Sequence, residues 1–504
     1  MALWRLAEHG KLECKVTWRS KRQSAETAMR DEAYNCMDIS CLCPYFGGLL
    51  DAAGNCVLPS GNFLTRAIRK ELRTLTPTER ANLFNAFVQL KQRGEYDRLS
   101  AIHRDFSKNS GAHFGPSFLI WHREYLKRVE IALRMIDPTV AIPYWDSVMD
   151  GYLPNPKDST MWTNELVGST DASGNVIDGP FANFPTLEGH LHITRFLGRE
   201  GHLFTENNIK DFLAQTKIEN ILTATAPKRG CPYAPFLGAI EYRHASVHLW
   251  VGGDLKPPST SANDPLFFFL HAFVDFVYEL WRQMRQDRTE RETAFPIENN
   301  FCEDPKHFAS ATMFPFKKRN IEGKSLNQPH SLSNAYTDFM YTYAPHPKCS
   351  KSSQDCQSPF LFCNLNAPFP RCVAKIKPGG RCDGFEREDA CFGSVCIDSR
   401  CRMQEGGGTS HCLNKEPCCG IRTRRGECYS NPIYMKEYCM RSCGFCASSD
   451  RTDACVNRHA LCSIWSSAGQ CVIRRGWMAE NCRPSCGWCR LPLEHFCYLG
   501  TKFG

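Results

Sequence analysis

The sequence contains 504 residues, more than a single hydrophobic core usually holds, which predicts one large domain with smaller ones attached. Its net charge of +8 is modest, so we expect no nucleic acid partner, and no apolar run is long enough for a transmembrane segment. Only seven of the 29 cysteines precede residue 349, which leaves 22 for the last 156 residues. Because disulfides persist only in an oxidising compartment, this composition indicates a secreted protein.

The chain begins with a cysteine-containing segment, residues 1–59, which precedes the predicted main domain at 60–345. Its first residues, MALWRLAEHGKLECKV, lack the continuous apolar stretch of a signal peptide. The expectation of secretion therefore depends on the cysteines alone.

Three helices are predicted in the first half of the main domain. The first spans 76–93, where Thr76 and Glu79 form a capping box, and the second is EYDRLSAIHRDF, with His103 near its end. The loop SKNSGAHFGP carries His113, and Pro116 then opens a helix that contains His122. Because His113 lies outside the helix of His122, the helical period does not separate these two side chains, and all three histidines can converge.

A second group of histidines follows in the second half of the domain. His244 and His248 are four residues apart in EYRHASVHLWVGG, which places both rings on one face of a helix. Asp264 is a candidate cap for the next helix, which is apolar nearly all round and contains His271 and, one turn later, Asp275. A lone histidine on such a face is usually a core residue, but two sets of three with this arrangement indicate a metal site.

A third histidine-rich stretch, EGHLHITRFLGREGHLF, contains His190, His192 and His202. No motif supports metal binding there, and we expect an exposed loop or strand.

The chemistry of the ligands narrows the choice of metal. Imidazole binds Zn, Cu, Fe and Ni. A zinc hydrolase usually adds a carboxylate near the metal, and a nonheme iron site uses two histidines and a carboxylate. Six neutral imidazoles suit a pair of ions that cycles between Cu(I) and Cu(II), although this argument leaves zinc open.

Two motifs make the chain resemble the tyrosinases. HFGPSFLIWHREYLKRVE matches the copper A signature of that family at every position, and DPLFFFLHAFVD matches the copper B signature. The resemblance implies a mainly α fold whose core is a four-helix bundle, with a type 3 centre of two copper ions. It also implies that O2 and a phenolic small molecule are the substrates, with o-diphenols oxidised to o-quinones. The implied ligands are His103, His113 and His122 for one copper and His244, His248 and His271 for the other.

Three further residues lie beside the implied ligands. Asp275 either accepts a hydrogen bond from a ligand imidazole or forms a salt bridge, for which Arg282 is a candidate partner. Several hydroxylating members of the family have an asparagine that helps to hold a water after the first copper B histidine, and here the position is Ala245. The departure puts monophenol hydroxylation in doubt and leaves diphenol oxidation intact. Glu241, three residues before His244, either approaches the same side or points to solvent.

The last third of the chain consists of cysteine-rich modules. Residues 349–401 hold eight cysteines, and 402–410 form a linker. Residues 412–446 and 455–489 then repeat one cysteine pattern with a period of 43, before a tail at 490–504. The eight-cysteine module has too many possible pairings for a choice from sequence.

The endings CMRSCGFC and CRPSCGWC resemble ShK-type toxin domains. Secreted invertebrate tyrosinases with such repeats are the closest overall likeness. We predict that the two cysteines outside the repeat pattern, Cys418 and Cys497, pair with each other. The pairing within the repeats that the resemblance implies is Cys412–Cys446, Cys419–Cys439, Cys428–Cys443, Cys455–Cys489, Cys462–Cys482 and Cys471–Cys486.

The leading functional hypothesis is a tyrosinase or catechol oxidase that acts in melanin formation or in the tanning of an extracellular matrix. An oxygen carrier of the hemocyanin kind shares the copper site but performs no turnover, and a single domain of catalytic size argues against it.

The ShK-type repeats offer an alternative, in which the protein acts chiefly by binding a channel or a matrix. The channel-blocking lysine–tyrosine pair is not preserved, because Lys436 and Tyr438 are not adjacent and the second repeat has no lysine. We therefore expect the repeats to target the protein, with the extracellular matrix as their partner, or to oligomerise it.

Overall fold

The computed structural model describes residues 26–105, 111–317, 325–402, 414–445, 455–458, 462–467, 470–473 and 475–497. Its helices are short at both ends of the chain and long in the middle. They are α1 Ile39–Leu42, α2 Pro77–Gln92, α3 Glu95–Arg104, α4 Phe118–Arg134, α5 Val148–Gly151, α6 Glu206–Ala214, α7 Ile240–Val251, α8 Leu266–Arg285, α9 Arg288–Thr293, α10 Cys419–Arg424, α11 Glu427–Ser430, α12 Pro432–Tyr438, α13 Cys462–Ser467, α14 Gln470–Ile473 and α15 Arg475–Asn481.

Local sequence signals place the ends of the long helices well. Glu79 N donates to the Thr76 hydroxyl and Thr76 N donates to the Glu79 carboxylate, so the capping box of α2 is confirmed. Helix α8 begins at Leu266, one residue after the predicted Pro265, because the Asp264 carboxylate accepts the backbone N–H of Leu266 at 3.0 Å.

The core of the main domain is helical, as predicted. Every residue of α4 is buried, and α8 is buried on nearly all sides. Helix α4 packs against α2 and α8, and α8 also contacts α6 and α7. The mainly α character is therefore confirmed, while the four-helix bundle stays a prediction.

The strands are short and lie at the edges of this core. The parallel pair β4–β7 aligns Ala67 with Tyr341 and Arg69 with Tyr343, and so joins the two ends of the predicted main domain. The strands are β1 Leu49–Leu50, β2 Cys56–Val57, β3 Phe63–Leu64, β4 Ala67–Arg69, β5 Thr312–Lys317, β6 Ser325–Asn327, β7 Tyr341–Tyr343, β8 Leu361–Asn364, β9 Arg371–Ala374, β10 Val395–Ile397 and β11 Arg400–Arg402.

Residues 349–401 form two β-hairpins, β8–β9 and β10–β11, each held by interleaved disulfides. This module lies against the helical domain, where Thr160 N donates to Lys375 O at 2.9 Å and Arg371 pairs with Glu206. Its disulfides are Cys349–Cys363, Cys356–Cys372, Cys382–Cys396 and Cys391–Cys401.

The disulfides of the two repeats follow the predicted pattern. Five of the six pairs are confirmed, and the sixth, Cys412–Cys446, lies outside the described residues. Cys418 is bonded to Cys497, as predicted. A salt bridge between Arg80 and Glu437 joins the first repeat to helix α2.

Three more disulfides lie upstream, at Cys36–Cys41, Cys43–Cys56 and Cys231–Cys302. Among the described residues, no helix combines the length and the apolar character that crossing a membrane requires.

Candidate metal centre

The first three predicted ligands converge, as expected. His103 lies in the last turn of α3, His113 in the loop before α4, and His122 in the second turn of α4. The Nε2 atom of His103 is 3.1 Å from that of His113 and 3.4 Å from that of His122. The structure thus brings together side chains that are 19 residues apart in sequence.

The second three histidines form a matching cluster. His244 and His248 lie one turn apart on α7, and His271 reaches them from α8. The Nε2 atoms of His248 and His271 are 3.4 Å apart, and the ring centroids of His244 and His271 are 4.8 Å apart.

The two clusters face each other across the contact between α4 and α8. The rings of His122 and His271 stack with their centroids 4.2 Å apart and their planes 15° from parallel. Phe118 lies 4.8 Å from both His122 and His244, and Phe267 packs 4.1 Å from His271. The six imidazoles therefore line one site with aromatic walls.

Backbone carbonyls fix the orientation of four of these rings. A carbonyl oxygen can only accept a hydrogen bond, so each Nδ1 that contacts one carries the proton and leaves Nε2 with its lone pair. The Nδ1 atoms of His103, His122, His244 and His248 lie 2.7–2.9 Å from the carbonyls of Pro258, Phe118, Glu241 and Leu255.

Lone pairs on neighbouring Nε2 atoms, 3.1–3.4 Å apart, repel unless a proton or a metal ion lies between them. Burial opposes the proton. It lowers the pKa of His103 to about 3 and that of His248 to about 4, and neighbouring imidazoles lower the pKa of His103 further. The same causes hold the pKa values of the other four histidines well below the ordinary value of 6.5. Neutral imidazoles are the form that binds a metal, so the donor set fits a cation in each cluster.

Asp275 contacts arginines and tyrosines rather than an imidazole. Its carboxylate accepts from Arg123 at 2.7 Å and from Arg69 at 3.3 Å, and the hydroxyls of Tyr341 and Tyr343 also donate to it. The Nδ1 atom of His271 is buried with no hydrogen-bond partner among the described residues. The salt-bridge alternative therefore describes Asp275, with different partners than Arg282, which instead pairs with Glu279 at 2.6 Å.

Glu241 is buried and connects the two halves of the site. One carboxylate oxygen accepts the backbone N–H of Phe114 at 2.6 Å, and the other accepts the hydroxyl of Thr225, also at 2.6 Å. Phe114 follows His113 and adopts φ 73°, which residues other than glycine rarely do. Burial raises the pKa of Glu241 to about 7. Glu241 thus holds the loop of His113 against helix α7, while Ala245 is half-buried one turn further along that helix.

The third histidine-rich stretch does not form a comparable cluster in the described part of the chain. His192 Nδ1 contacts the carbonyl of Ala182, and His202 accepts from the hydroxyl of Ser246. Sequence analysis missed Thr225 and the carbonyls of Pro258 and Leu255, because their contacts with the site depend on the packing of loops and carry no residue signature.

Comparisons with known proteins agree with these motifs. Residues 93–284 match the common central domain of tyrosinase, and residues 411–446 and 454–489 match the ShK domain-like family. A putative tyrosinase-like protein of Caenorhabditis elegans, tyr-3, is 41% identical over 84% of this chain and 64% of its own length. The tyrosinase of Streptomyces glaucescens is 32% identical over 43% of this chain and 82% of its own length.

Among solved structures, a polyphenol oxidase mutant from Thermothelomyces thermophila is 20% identical, with a TM-score of 0.42 over 56% of this chain and 89% of that chain. The present chain spans less than two thirds of the nematode relative.

Proposed function

The chain belongs to the tyrosinase family of type 3 copper proteins, and on that premise we propose that it is a secreted enzyme that oxidises o-diphenols to o-quinones with O2. Its place would be in melanin formation or in the tanning of an extracellular matrix. Thirteen disulfides among the described residues support secretion.

One observation carries the proposal: two clusters of three buried imidazoles direct Nε2 lone pairs into one site. His103, His113 and His122 would hold one copper, and His244, His248 and His271 the other. Two bound coppers supply electron transfer between substrates, so that two o-diphenols each lose two electrons and two protons while one O2 becomes two waters.

The protein itself supplies rigid positions and a dry site. Carbonyl contacts fix the rings of four ligands, and burial keeps the imidazoles neutral. Phe118 and Phe267 pack against the ligand rings, which limits their rotation and excludes water.

Hydroxylation of monophenols is expected to be slow. Ala245 offers no side chain that holds a water, and both carboxylate oxygens of Glu241 already accept hydrogen bonds from Phe114 and Thr225. A base for the phenolic proton is therefore poorly provided on this side of the site.

The proposal is tested by copper content and by oxidation of a catechol. The wild-type chain should bind two coppers and turn over catechol. His271→Ala should abolish turnover, because one copper would keep two ligands, while the apolar faces of α8 keep the fold.

His190→Ala is the matched control, since it removes an exposed histidine outside both clusters and should leave turnover unchanged. Full catechol turnover by His271→Ala would refute the ligand assignment. Reversible O2 binding by the wild-type chain without catechol turnover would show an oxygen carrier instead.

A further inference from the structure

The site is open to solvent on the side of His113. The other five clustered histidines are at most 8% exposed, whereas His113 is partly exposed. A substrate therefore approaches over the loop that carries His113 and Phe114.

Two surface segments border this loop, and we call residues 226–239 and 295–304 together with Phe114 the rim. Ala226 N donates to the carbonyl of Phe114 at 3.3 Å, and Lys228 N donates to the carbonyl of Cys302 at 2.8 Å. The disulfide Cys231–Cys302 joins the two segments covalently. The rim is thus fastened both to itself and to the loop of His113.

The chain that follows the rim also packs closely on this loop. The side chain of His307 lies so near Gly115 that a Cβ atom there would come within 2.6 Å of it. The hydroxyl of Ser117 donates to the carbonyl of His307 at 3.2 Å. The rim is therefore seated at the open side of the site.

Large apolar side chains on the rim point to solvent. They are between 45% and 86% exposed, and they are Phe114, Tyr233, Leu237, Ile297 and Phe301. Single exposed apolar residues are ordinary, but a group of five on two cross-linked segments beside a binding site is typical of an interaction surface.

We propose that the rim binds an extended polypeptide, so that the phenolic substrates of this enzyme include tyrosine or dopa side chains of proteins. The inference rests on the proposed function and names its substrate class. A free phenol that enters the site leaves the rim uncovered. A polypeptide whose phenolic side chain enters past His113 places its flanking residues on the rim and covers these apolar groups. The phenolic side chain loses two electrons and two protons to O2, as a free o-diphenol does.

The first experiment compares two substrates on the copper-loaded full chain: 4-methylcatechol, and a ten-residue peptide with a central dopa between apolar residues. We expect a lower KM for the peptide. Phe301→Ser and Tyr233→Ser should raise the peptide KM roughly tenfold relative to the 4-methylcatechol KM, the size of effect that an interface residue has.

Phe369→Ser is the matched control, because it removes a phenylalanine that is 76% exposed on the 349–401 module. It should change neither KM. A wild-type peptide KM no lower than that of 4-methylcatechol, or rim variants that alter both KM values equally, would overturn the proposal. Faster oxidation of 4-methylcatechol by the rim variants would also overturn it, since it would indicate that a segment of this chain covers the rim.

The second experiment needs no turnover, which separates this inference from the proposed function. The same peptide with phenylalanine in place of dopa carries a fluorescent label, and its anisotropy reports binding to the metal-free chain. Phe301→Ser should weaken binding roughly tenfold, whereas Phe369→Ser should not. Equal binding by wild type and Phe301→Ser would refute the rim as a peptide site, whatever the oxidase assays show.

Discussion

Replacing Asp275 with asparagine should destabilise the helical domain before it affects the metal ligands. Asp275 lies between Arg123 and Arg69, and burial, which alone would raise its pKa, is outweighed by these arginines, so the pKa lies below its ordinary value. Around it, three arginines face three carboxylates, since Arg69 also pairs with Glu130 and Arg123 with Glu279. The substitution leaves this buried group with one uncompensated positive charge.

The magnitude follows from those contacts. Removing one partner of a buried ion pair costs about 3–5 kcal/mol. Each arginine keeps one carboxylate, and the asparagine oxygen still accepts one hydrogen bond, so we expect the lower end, about 3 kcal/mol. At about 2–4 °C per kcal/mol, the melting temperature should fall by roughly 6–12 °C.

The assay is thermal unfolding of the metal-free full chain, followed by helical circular dichroism, with copper content measured separately. Asp338→Asn is the matched control, because its salt bridge with Arg288 lies at the surface and should be worth less than about 1 kcal/mol. If Asp275→Asn melts within about 2 °C of wild type but loses copper, the residue orients a ligand imidazole and the argument from the arginines is wrong.

Three further predictions concern other parts of the domain. Burial alone would lower the pKa of His346, but its 2.8 Å contact with Asp146 raises that pKa above 6.5. The charged ring therefore stabilises the fold below pH 6.5, and the stability advantage of wild type over His346→Gln, less than about 1 kcal/mol, should disappear as pH rises through the folded pKa. Ala245→Asn should raise the ratio of monophenol to diphenol oxidation rates by up to about tenfold. Glu241→Gln removes one of two acceptors that hold the loop of His113, and it should weaken retention of copper against a chelator while the melting temperature changes by only a few degrees.

Each of these predictions has a clear contrary result. A stability difference for His346→Gln that grows with pH would show that the ring is buried in its neutral form. Wild-type hydroxylation of tyrosine as fast as catechol oxidation would show that Ala245 does not determine substrate scope. Unchanged copper retention in Glu241→Gln would show that the loop holds its position without this carboxylate.

The parts that sequence analysis predicted are those encoded by neighbouring residues. The capping box at Thr76 and the carboxylate of Asp264 place helix ends within a residue or two, since both contacts span three residues or fewer. The convergence of His103, His113 and His122 followed from a loop between two helices.

Contacts between distant segments could not be predicted in the same way. Arg69 and Asp275 are 206 residues apart, and no local pattern indicates that they meet. The same holds for Phe114 and Glu241, which are 127 residues apart. The eight-cysteine module allows 105 pairings, and residue spacing alone does not rank them.

The bond between Cys418 and Cys497 also determines how proteolysis could dismantle the C-terminal region. It closes a covalent ring of the chain that contains the whole second repeat. A single cut inside this ring leaves both fragments attached, so the mass on a non-reducing gel stays the same and changes only after reduction. A cut ahead of residue 412, in contrast, would release both repeats as one piece, held to the helical domain only by contacts such as that of Arg80 with Glu437.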